Sequence, residues 1–563
     1  MHLFFSRLLF YKIFLLTFTL FGCTRVKSST SVTKALPQDP FIQVYFNYSQ
    51  SSQYQEEYRP RKRYGDNLEQ QIINTIIEAK SSVDLAVQEL RLPKIAEALV
   101  DKHKAGVKVR VILENKYNHS WDKSDSSNNS INHSQKNTND IHKLSVREKV
   151  KYQDWKFFTD VNKDGLISLE ELKKKDALVI LRNANIPILD DTADGSKGSG
   201  LMHHKIIIVD NRITIVSSAN FTMSGIHGDL GKAESLGNAN NLLKIDSPKL
   251  ASFFKEEFNL MWGDGVGKKL DSRFGIQKPP RKTQTITLGK NKIILKFSPI
   301  SPTLPWLQTS NGLIGKTLNN GKKTIDMALF VFSEQRLANI LEKRHLNKVK
   351  IRALIEKDFA YRFYSEGLDM MGIAYSQKCR YEPDNQPWNQ PINTVGVPVL
   401  SKGDLLHHKF SVIDGKKVIT GSHNWSDAAN YKNDETLLII ENPVVAAHYI
   451  REFERLYKNS RRGIPPKVEE KIKLQNKQCP KITTSTKQKD IGLINPNTAT
   501  LEELISLPGV GKKLAKQIIL TRQQKPFTSV ADLERVSGIG SKMRYKIGSR
   551  ITFDSNNDLS IKN

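Results

Sequence analysis

Hydrophobic and polar positions in the first part of the chain switch repeatedly between the period of a strand and that of a helix. Residues 41–46, 83–87 and 107–113 are predicted strands, whereas residues 68–79 and 95–105 are predicted helices. Such alternation predicts a largely parallel sheet that is covered by helices.

A strand, a tight turn and a second strand are predicted for the stretch HHKFSVIDGKKVITGSHN, which begins at His407. His407 and Lys409 are two residues apart, so their side chains leave the same face of the strand. The turn at Asp414 reverses the chain, and the return strand brings Ser422 and Asn424 beside them. An imidazole, an ammonium group and an amide in one patch predict a phosphate site with a built-in nucleophile or acid.

The same pattern occurs earlier in the chain. It begins at His203 and places Lys205, Asp210, Ser218 and Asn220 at equivalent positions. The surrounding segments that also align are 82–114 with 323–356, 183–189 with 394–400, and 238–248 with 433–443. One fold is therefore duplicated within the chain.

The two copies differ where the chain leaves the motif. Glu435 in the second copy is matched by Asn240 in the first. A carboxylate that is hydrogen-bonded to an imidazole raises its basicity and stabilises its cation, whereas an amide only orients it. The sequence therefore predicts different roles for the two histidines.

The chain has 563 residues, enough for several domains, and a formal net charge of +28. This charge favours polyanionic partners, either nucleic acid or an anionic membrane surface, and does not choose between them. The basic run at residues 59–63 is interpreted as a solvated loop. The three cysteines, Cys23, Cys379 and Cys479, lack the spacing of a zinc site or a disulfide framework. We expect Cys379 and Cys479 to be unremarkable, although an oxidising compartment could pair them.

The first 23 residues follow the plan of a signal peptide, with an apolar core that is short for a membrane span. The tetrapeptide that ends at Cys23 resembles a bacterial lipobox, which implies a lipidated N-terminus after cleavage. An uncleaved anchor and ordinary secretion are the alternatives. We expect the protein to be exported to a bacterial cell envelope.

An insertion at residues 115–175, which only the first copy carries, contains a loop with the spacing of a calcium site. Residues 160–171 resemble an EF-hand loop, with helical sequences on both sides and Gly165 at the sharp bend. The predicted oxygen ligands are Asp160, Asn162, Asp164, the carbonyl of Leu166, Ser168 and Glu171. A lone loop lacks its usual partner, so we expect a structural Ca²⁺ that binds weakly, with a Kd of about 10⁻⁴–10⁻³ M. A decayed loop that no longer binds is the alternative.

Two similar glycine-containing hairpins lie near the C-terminus, LPGVGKK from Leu507 and VSGIGSK from Val536. They resemble a tandem helix-hairpin-helix domain of the type found in bacterial DNA-uptake receptors. The resemblance implies sequence-independent binding of DNA phosphates by backbone N–H groups at helix starts, with lysines as counter-charge. The implied DNA-binding residues are Gly509, Gly511, Lys512, Lys513, Gly538, Gly540 and Lys542. A protein-docking or purely structural module is the alternative.

The predicted fold class is α/β, with two pseudo-symmetric halves of mixed sheets flanked by helices, plus a small all-α helix-hairpin-helix domain. The predicted segments are a signal peptide at 1–23, a tether at 24–39, a first half at 40–275, a second half at 285–458, a basic linker at 459–490 and the helical domain at 491–553.

The paired HxKxxxxD motifs, each followed by a GSxN-like turn, resemble the phospholipase D superfamily across residues 40–460. The resemblance implies a two-step phosphodiester transfer through a phosphohistidine, without a catalytic metal, in a site formed within one chain and therefore in a monomer. Precedent in the family favours His203 as the nucleophile and His407 as the acid and base, which the sequence alone does not decide. The residues implied to bind the non-bridging oxygens are Lys205, Lys409, Asn220 and Asn424, with Ser218 and Ser422 as helpers. Asp210 and Asp414 lie at the turns, so we expect them to be structural.

Three functions remain open at this point: a nuclease, a phospholipase D that acts on lipid head groups, and a non-enzymatic protein that captures DNA. The intact motifs argue against the third function, and the second has no need of a nucleic-acid module. We therefore favour a nuclease that acts on DNA.

Overall fold

The computed structural model of the chain describes residues 33–121, 144–196, 199–382, 384–479, 494–507, 509–548 and 550–553. The predicted signal peptide, its Cys23 and the first part of the tether lie outside the described residues. Within the described ranges, no helix combines the length and the apolar character that crossing a membrane requires.

The first half is built on a mixed sheet. Its strands are β1 (Ile42–Phe46), β2 (Gln53–Gln55), β3 (Lys62–Tyr64), β4 (Ser82–Val87), β5 (Lys108–Leu113), β6 (Ile188–Asp190), β7 (Lys205–Val209), β8 (Ile213–Ser217) and β9 (Asn241–Asp246). Its helices are α1 (Leu68–Ile77), α2 (Pro93–Lys104), α3 (Val146–Thr159), α4 (Leu169–Lys175), α5 (Ala177–Asn183), α6 (Met223–Ile226) and α7 (Pro248–Trp262). Apart from the small β2–β3 pair, the strands form one sheet in the order β1-β9-β8-β7-β4-β5-β6.

The expectation of a largely parallel sheet is wrong for this half. Among the described strands of this sheet, the parallel neighbours are β4, β5 and β6, whereas β1, β9, β8, β7 and β4 pair antiparallel. The helical crossovers produce the parallel part, and the β7–β8 hairpin with its return strand adds the antiparallel part. The predicted class, α/β with mixed sheets, is confirmed.

The second half repeats this architecture. Its strands are β10 (Gln284–Leu288), β11 (Asn291–Ser298), β12 (Thr324–Leu329), β13 (Phe332–Ser333), β14 (Lys350–Ile355), β15 (Val395–Pro398), β16 (Lys409–Ile413), β17 (Lys417–Gly421), β18 (Trp425–Ser426), β19 (Glu435–Glu441) and β20 (Ser460–Arg462). Its helices are α8 (Ser310–Asn319), α9 (Gln335–Leu346), α10 (Lys357–Ala360), α11 (Glu366–Met370), α12 (Asp427–Tyr431), α13 (Pro443–Lys458) and α14 (Pro466–Gln478). The main sheet has the order β10-β11-β19-β17-β16-β12-β14-β15-β20, so β16 and β17 occupy the places of β7 and β8.

The two halves share one hydrophobic core. Helix α7 contributes Phe254 and Phe258, helix α13 contributes Tyr449 and Phe453, and Phe410 of β16 packs among them. Large aromatic side chains dominate the burial of apolar surface here. The shared core fixes one sheet relative to the other.

The basic run at residues 59–63 is not the expected solvated loop. Arg63 is only 5% exposed, and its guanidinium donates to the carbonyl oxygens of His227 at 3.1 Å and Leu236 at 2.8 Å. Arg59 pairs with the buried carboxylate of Glu56. These arginines satisfy buried polar groups in the first half, which no local pattern could indicate.

The expectation that Cys379 and Cys479 are unremarkable is also wrong, because they form a disulfide that spans 100 residues of sequence. The bond ties the end of α14 to the rest of the second half, and Ile472 of α14 is buried against Leu368 and Tyr375. Strand β20 pairs with β15 as well. The start of the predicted linker is therefore an extension of the second half.

The C-terminal region is a separate helical unit, with α15 (Leu501–Ile505), α16 (Lys512–Gln524), a 3-10 turn at Ala531–Arg535 and α17 (Ser541–Gly548). Thr500 and Glu503 form a reciprocal capping box at the start of α15. The unit has its own hydrophobic core, and Arg550 forms an ion pair with Asp384 of the second half at 3.3 Å.

Candidate active site

The two HxK motifs meet where the halves adjoin. The backbone N–H of His203 donates to the carbonyl oxygen of Asp434 at 3.0 Å, and that of His407 donates to the carbonyl oxygen of Ala239 at 3.1 Å. Each motif is therefore hydrogen-bonded to the segment through which the opposite half leaves its own motif. This exchange brings both imidazoles into one site.

The ring of His203 is held by a carboxylate of the second half. Its Nδ1 lies 2.7 Å from Oε2 of Glu435, which also accepts a hydrogen bond from Oγ of Ser422 at 2.6 Å. Oγ of Ser422 in turn accepts from the N–H of Thr436 at 3.0 Å. The contact at Nδ1 leaves Nε2 of His203 for a substrate.

The ring of His407 is held in the same way by an amide of the first half. Its Nδ1 lies 3.0 Å from Oδ1 of Asn240, and this oxygen also accepts from Oγ of Ser218 at 2.7 Å. Nδ2 of Asn240 donates to the carbonyl oxygen of Gly225 at 2.8 Å, which fixes the amide with its oxygen toward the ring. Both histidines are thus held through Nδ1 by a side chain of the opposite half. That side chain is a carboxylate for His203 and a neutral amide for His407.

Ser218 and Ser422 therefore orient the partners of the histidines instead of lying free for a phosphate. Asp210 and Asp414 lie away from the imidazoles, at the turns of the two hairpins, where both adopt positive φ. The carboxylate of Asp210 accepts the backbone N–H groups that lead into β4, and that of Asp414 accepts those that lead into β12. These contacts serve the fold.

Two buried lysines lie beside the imidazoles. The ammonium of Lys205 donates to the carbonyl oxygen of His203 at 2.8 Å, and that of Lys409 donates to the carbonyl oxygen of His407 at 2.7 Å. Lys205 also donates to Oε1 of Gln88 at 3.2 Å. An ammonium has three donors, so Lys205 retains one and Lys409 two for phosphate oxygens.

Asn220 and Asn424 follow the return strands β8 and β17 and are half-buried. Nδ2 of Asn220 donates to Oε1 of Gln88 at 3.2 Å, the atom that also accepts from Lys205. The Oδ1 atoms of both asparagines are buried without a hydrogen-bond partner. Both amides are thus incompletely satisfied at the site.

Burial and positive charge depress the basicity of the whole cluster. Burial, followed by the charges of Lys205 and Lys409, lowers the pKa of His203 well below its ordinary value. Burial, followed by Lys409 and Lys205, does the same to the pKa of His407. Burial lowers the pKa of Lys205 to about 7 and that of Lys409 well below its ordinary value. Because each half's lysine acts on the other half's histidine, these groups share one electrostatic environment, and an anion bound among them would raise all four pKa values.

Three features of the site were missed by the sequence. Oε2 of Glu114 accepts the N–H of Met202 at 2.6 Å, and Oε2 of Glu356 accepts the N–H of Leu406 at 2.7 Å, so these carboxylates position the residue that precedes each motif. The third feature is Gln88, whose Oε1 accepts hydrogen bonds from both Lys205 and Asn220. The alignment of 82–114 with 323–356 was the available signal, since both glutamates end those segments.

The loop at residues 160–171 carries the six predicted oxygen donors. The carboxylate of Asp160 accepts the N–H of Gly165 at 3.0 Å, while its Oδ1 is buried without a partner. The carboxylate of Glu171 accepts the N–H groups of Val161 at 2.8 Å and Ser168 at 2.9 Å. Within the ranges that the structure describes, no three His, Cys, Asp or Glu side chains are arranged to hold a metal. The donor types fit Ca²⁺, but Glu171 would have to leave its N–H partners to reach an ion.

The glycines of the C-terminal hairpins leave the backbone accessible. Gly509 and Gly538 adopt φ of 83° and 99°, which glycine tolerates without strain. Gly511 precedes the first residue of α16, and a Cβ at Gly511 or Gly540 would meet nothing within 4 Å. The backbone at both hairpins is therefore open to a phosphate.

Lys512 and Lys513 begin α16 and are exposed, so their charges are available beside this helix start. Lys542 belongs to α17, and its side chain lies outside the described residues. Two of the three predicted lysines are thus placed where a polyanion could reach them.

Comparisons with known proteins agree with this architecture. A family model described as "Cardiolipin synthase, PLD-like domain" matches residues 72–262 and 314–457, which together exceed half of the chain. A model described as "Helix-hairpin-helix motif" matches residues 489–552. The mitochondrial cardiolipin hydrolase of Xenopus laevis is 30% identical over 142 residues, which are 25% of this chain and 57% of that protein. The chain thus spans little more than half the length of this relative.

The C-terminal region is similar to ComE operon protein 1 of Bacillus subtilis (strain 168), with 49% identity over 61 residues, 11% of this chain and 30% of that protein. Among solved structures, phosphatidylserine synthase of Haemophilus influenzae Rd KW20 superposes with a TM-score of 0.44 at 11% identity, covering 80% of this chain and 96% of that one.

Proposed function

Because the chain belongs to the family described as cardiolipin synthase, PLD-like domain, we propose that it is a phosphodiesterase that hydrolyses nucleic acid through a phosphohistidine. The observation that carries the chemistry is the pair His203 and His407, each held through Nδ1 by a residue of the opposite half. The helix-hairpin-helix motif favours nucleic acid over lipid, and the net charge of +28 agrees with a polyanionic substrate.

The reaction proceeds in two displacements at phosphorus. In the first, Nε2 of His203 forms a bond to phosphorus as the bond to the leaving oxygen breaks, and His407 donates its proton to that oxygen. In the second, His407 takes a proton from water, and the water oxygen displaces His203. The products are a phosphomonoester and a free hydroxyl group, so no co-reactant other than water is required.

The unequal partners of the histidines favour this assignment of roles. An imidazole that is bonded to phosphorus carries positive charge, which the carboxylate of Glu435 stabilises. The amide of Asn240 gives no such stabilisation, so the imidazolium of His407 is the stronger acid and the better proton donor to an alkoxide. Lys205, Lys409 and the two asparagines bind the non-bridging oxygens, where negative charge is stabilised in the transition state.

The C-terminal unit holds the substrate near this site. Exposed Lys512 and Lys513 and the open backbone at Gly511 contact phosphates without reading sequence. Replacement of both lysines by alanine should weaken DNA binding and reduce the slope of log K against log salt by about 2. The matched control is alanine at Lys322 and Lys323, an exposed lysine pair in the second half, which should leave the slope unchanged. An unaltered slope in the first variant would refute the role of α16.

The reaction is tested with plasmid DNA and single-stranded oligonucleotides in EDTA, in parallel with cardiolipin and phosphatidylcholine vesicles. We expect nucleic-acid cleavage that persists in EDTA and is lost in His203→Ala and in His407→Ala. His103→Ala, which removes a histidine of α2 far from the motifs in sequence, serves as the control and should retain activity.

Hydrolysis of phospholipid is the second candidate, since a relative is named for cardiolipin. The two functions separate in the same experiment. Release of a lipid head group or of phosphatidic acid, without any cleavage of nucleic acid, would replace the nuclease by a lipase.

We also propose that the loop at 160–171 binds a structural Ca²⁺. The ligands would be Asp160, Asn162, Asp164, the carbonyl of Leu166, Ser168 and Glu171, and the unpartnered Oδ1 of Asp160 supports this set. Calorimetry with Ca²⁺ alone should give heat that Asp160→Ala abolishes and Asp264→Ala, at an exposed site, retains. Absence of heat from the unaltered protein would mean that the loop no longer binds Ca²⁺.

Export to an oxidising cell envelope, with lipid on Cys23, completes the proposal. The Cys379–Cys479 disulfide supports it, because such bonds are rare in reducing compartments. Labelling with a radioactive fatty acid in a bacterial host should be lost in Cys23→Ser, and labelling that persists would exclude this anchor.

A further inference from the structure

The two sides of the active site present different surfaces to a substrate. The halves are related by their repeat, so Gln88 after β4 corresponds to Phe330 after β12, and Tyr117 after β5 corresponds to Phe359 after β14. The first half thus offers an amide and a phenol where the second offers two phenyl rings. Neither difference is required by the shared fold.

On the first side, polar contacts occupy these positions. Oε1 of Gln88 accepts from Lys205 and Asn220. The ammonium of Lys151, from the inserted helix α3, lies 5.2 Å from the centroid of the Tyr117 ring and pairs with Glu89. The face of this aromatic ring is therefore taken by a cation.

On the second side, two aromatic rings follow the histidine in succession. The ring of Phe330 lies 4.8 Å from that of His407, at 62°, and carries the ammonium of Lys409 over its face at 4.9 Å. The ring of Phe359 lies 4.8 Å from that of Phe330 at 68°, an edge-to-face contact that occupies at most one face of the Phe359 ring. Both rings are half-buried.

The segment that carries Phe359 is tied both to the second motif and to the inserted helix. It lies in α10, which follows Glu356, the carboxylate that holds the N–H of Leu406 before the motif. Asp358 of the same turn pairs with Arg147 of the inserted helix α3. A half-buried ring on this anchored segment, one ring removed from His407, loses little conformational freedom when it binds a flat group.

We propose that Phe359, backed by Phe330, is a stacking platform for the nucleobase on the leaving-group side of the scissile phosphate, so that the enzyme selects unpaired nucleic acid. This inference rests on the proposed nuclease function and on His407 as the acid that protonates the leaving oxygen. A base offers its π-face to the ring only when it is not enclosed in a duplex, and stacking of this kind tolerates any sequence. The cationic first side then faces the nucleotide that remains on phosphorus.

The test compares two single-stranded substrates with the same number of phosphates, an oligothymidylate and a chain of abasic tetrahydrofuran residues. Phe359→Leu should lower kcat/KM for oligothymidylate roughly 5- to 150-fold, the effect of losing one stacked base, and leave the abasic chain within about twofold. Phe359→Trp, which keeps an aromatic ring at this position, should retain the preference of the unaltered protein for oligothymidylate over the abasic chain. Tyr117→Leu, the matched change on the first side, should not alter the ratio between the two substrates.

The outcomes separate the proposals. An equal loss on both substrates in Phe359→Leu, or no loss on either, would overturn the stacking platform while the nuclease function stands. Failure of the unaltered protein to cleave either substrate, with hydrolysis of cardiolipin vesicles, would overturn the nuclease and the platform together.

Discussion

The two halves of the molecule repeat one architecture but furnish the active site unequally. In both halves a serine oxygen accepts a backbone N–H and donates to the side chain that holds a histidine. That side chain is Glu435 in the second half and Asn240 in the first, and each acts on the histidine of the opposite half. The carboxylate of one half therefore tunes the imidazole of the other.

This difference shows how duplication can yield two catalytic roles from one motif. The hairpin, the lysine, the serine and the turn aspartate are retained in both halves, because each supports the shared geometry. A single exchange between carboxylate and amide changes the charge beside an imidazole and leaves its orientation unchanged. Nucleophile and acid can thus differ without any change in the fold.

The largest expected effect distinguishes the two histidines directly. With DNA, His203→Ala and His407→Ala should each reduce kcat on the order of 10⁴-fold or more, because nucleophile and acid act as a unit. With a p-nitrophenyl ester of thymidine 5′-phosphate, whose leaving group needs no proton, His407→Ala should still release p-nitrophenol in one burst per active site. Rapid quenching should then show an acid-labile phosphoryl adduct on His203.

The same measurement on His203→Ala is the control and should show neither burst nor adduct. A burst in His203→Ala and none in His407→Ala would reverse the roles of the two histidines. It would also contradict the argument that Glu435 stabilises the positive charge of a phosphorylated His203.

A smaller effect is expected from exchanging the partners. Glu435→Gln should lower kcat/KM by about 10²-fold and move the limb of its pH profile that reports the titration of His203 to lower pH. The reason is that His203 reacts as the free base, its pKa already lies well below the ordinary value, and loss of the carboxylate lowers that pKa further. Asn240→Asp should move the other limb, which reports the titration of His407, to higher pH, because the added carboxylate raises the pKa of that imidazole.

The measurement is kcat/KM for oligonucleotide cleavage between about pH 4 and pH 9, a range that spans the ordinary pKa of histidine on both sides. If both substitutions moved the same limb, the two histidines would not have separate roles.

Local pattern predicted the repeat, the hairpins and the residues that we propose carry the chemistry, because the hydrophobic period and the turn residues each depend on a few neighbouring positions. The partners of those residues were harder to predict. Glu435 and Asn240 were singled out as unequal, but which histidine each contacts depends on how the halves pack, a relation between residues more than 160 apart. The predictions for Arg63, as part of a solvated loop, and for Cys379 and Cys479, as unremarkable, were wrong for the same reason. The partners of these residues lie far away in sequence.

The smallest expected effect on catalysis concerns the turn aspartates, in which the two halves are alike. Asp210→Ala and Asp414→Ala each remove a carboxylate that accepts several backbone N–H groups. Each should lower the free energy of unfolding by about 1–3 kcal/mol, seen as a lower Tm, with kcat of the folded enzyme unchanged. Asp246→Ala, which breaks an exposed pair with Arg212, is the control and should cost at most about 1 kcal/mol. Loss of cleavage at an unchanged Tm would assign a chemical role to a turn carboxylate, and loss in only one of the two variants would add a second asymmetry between the halves.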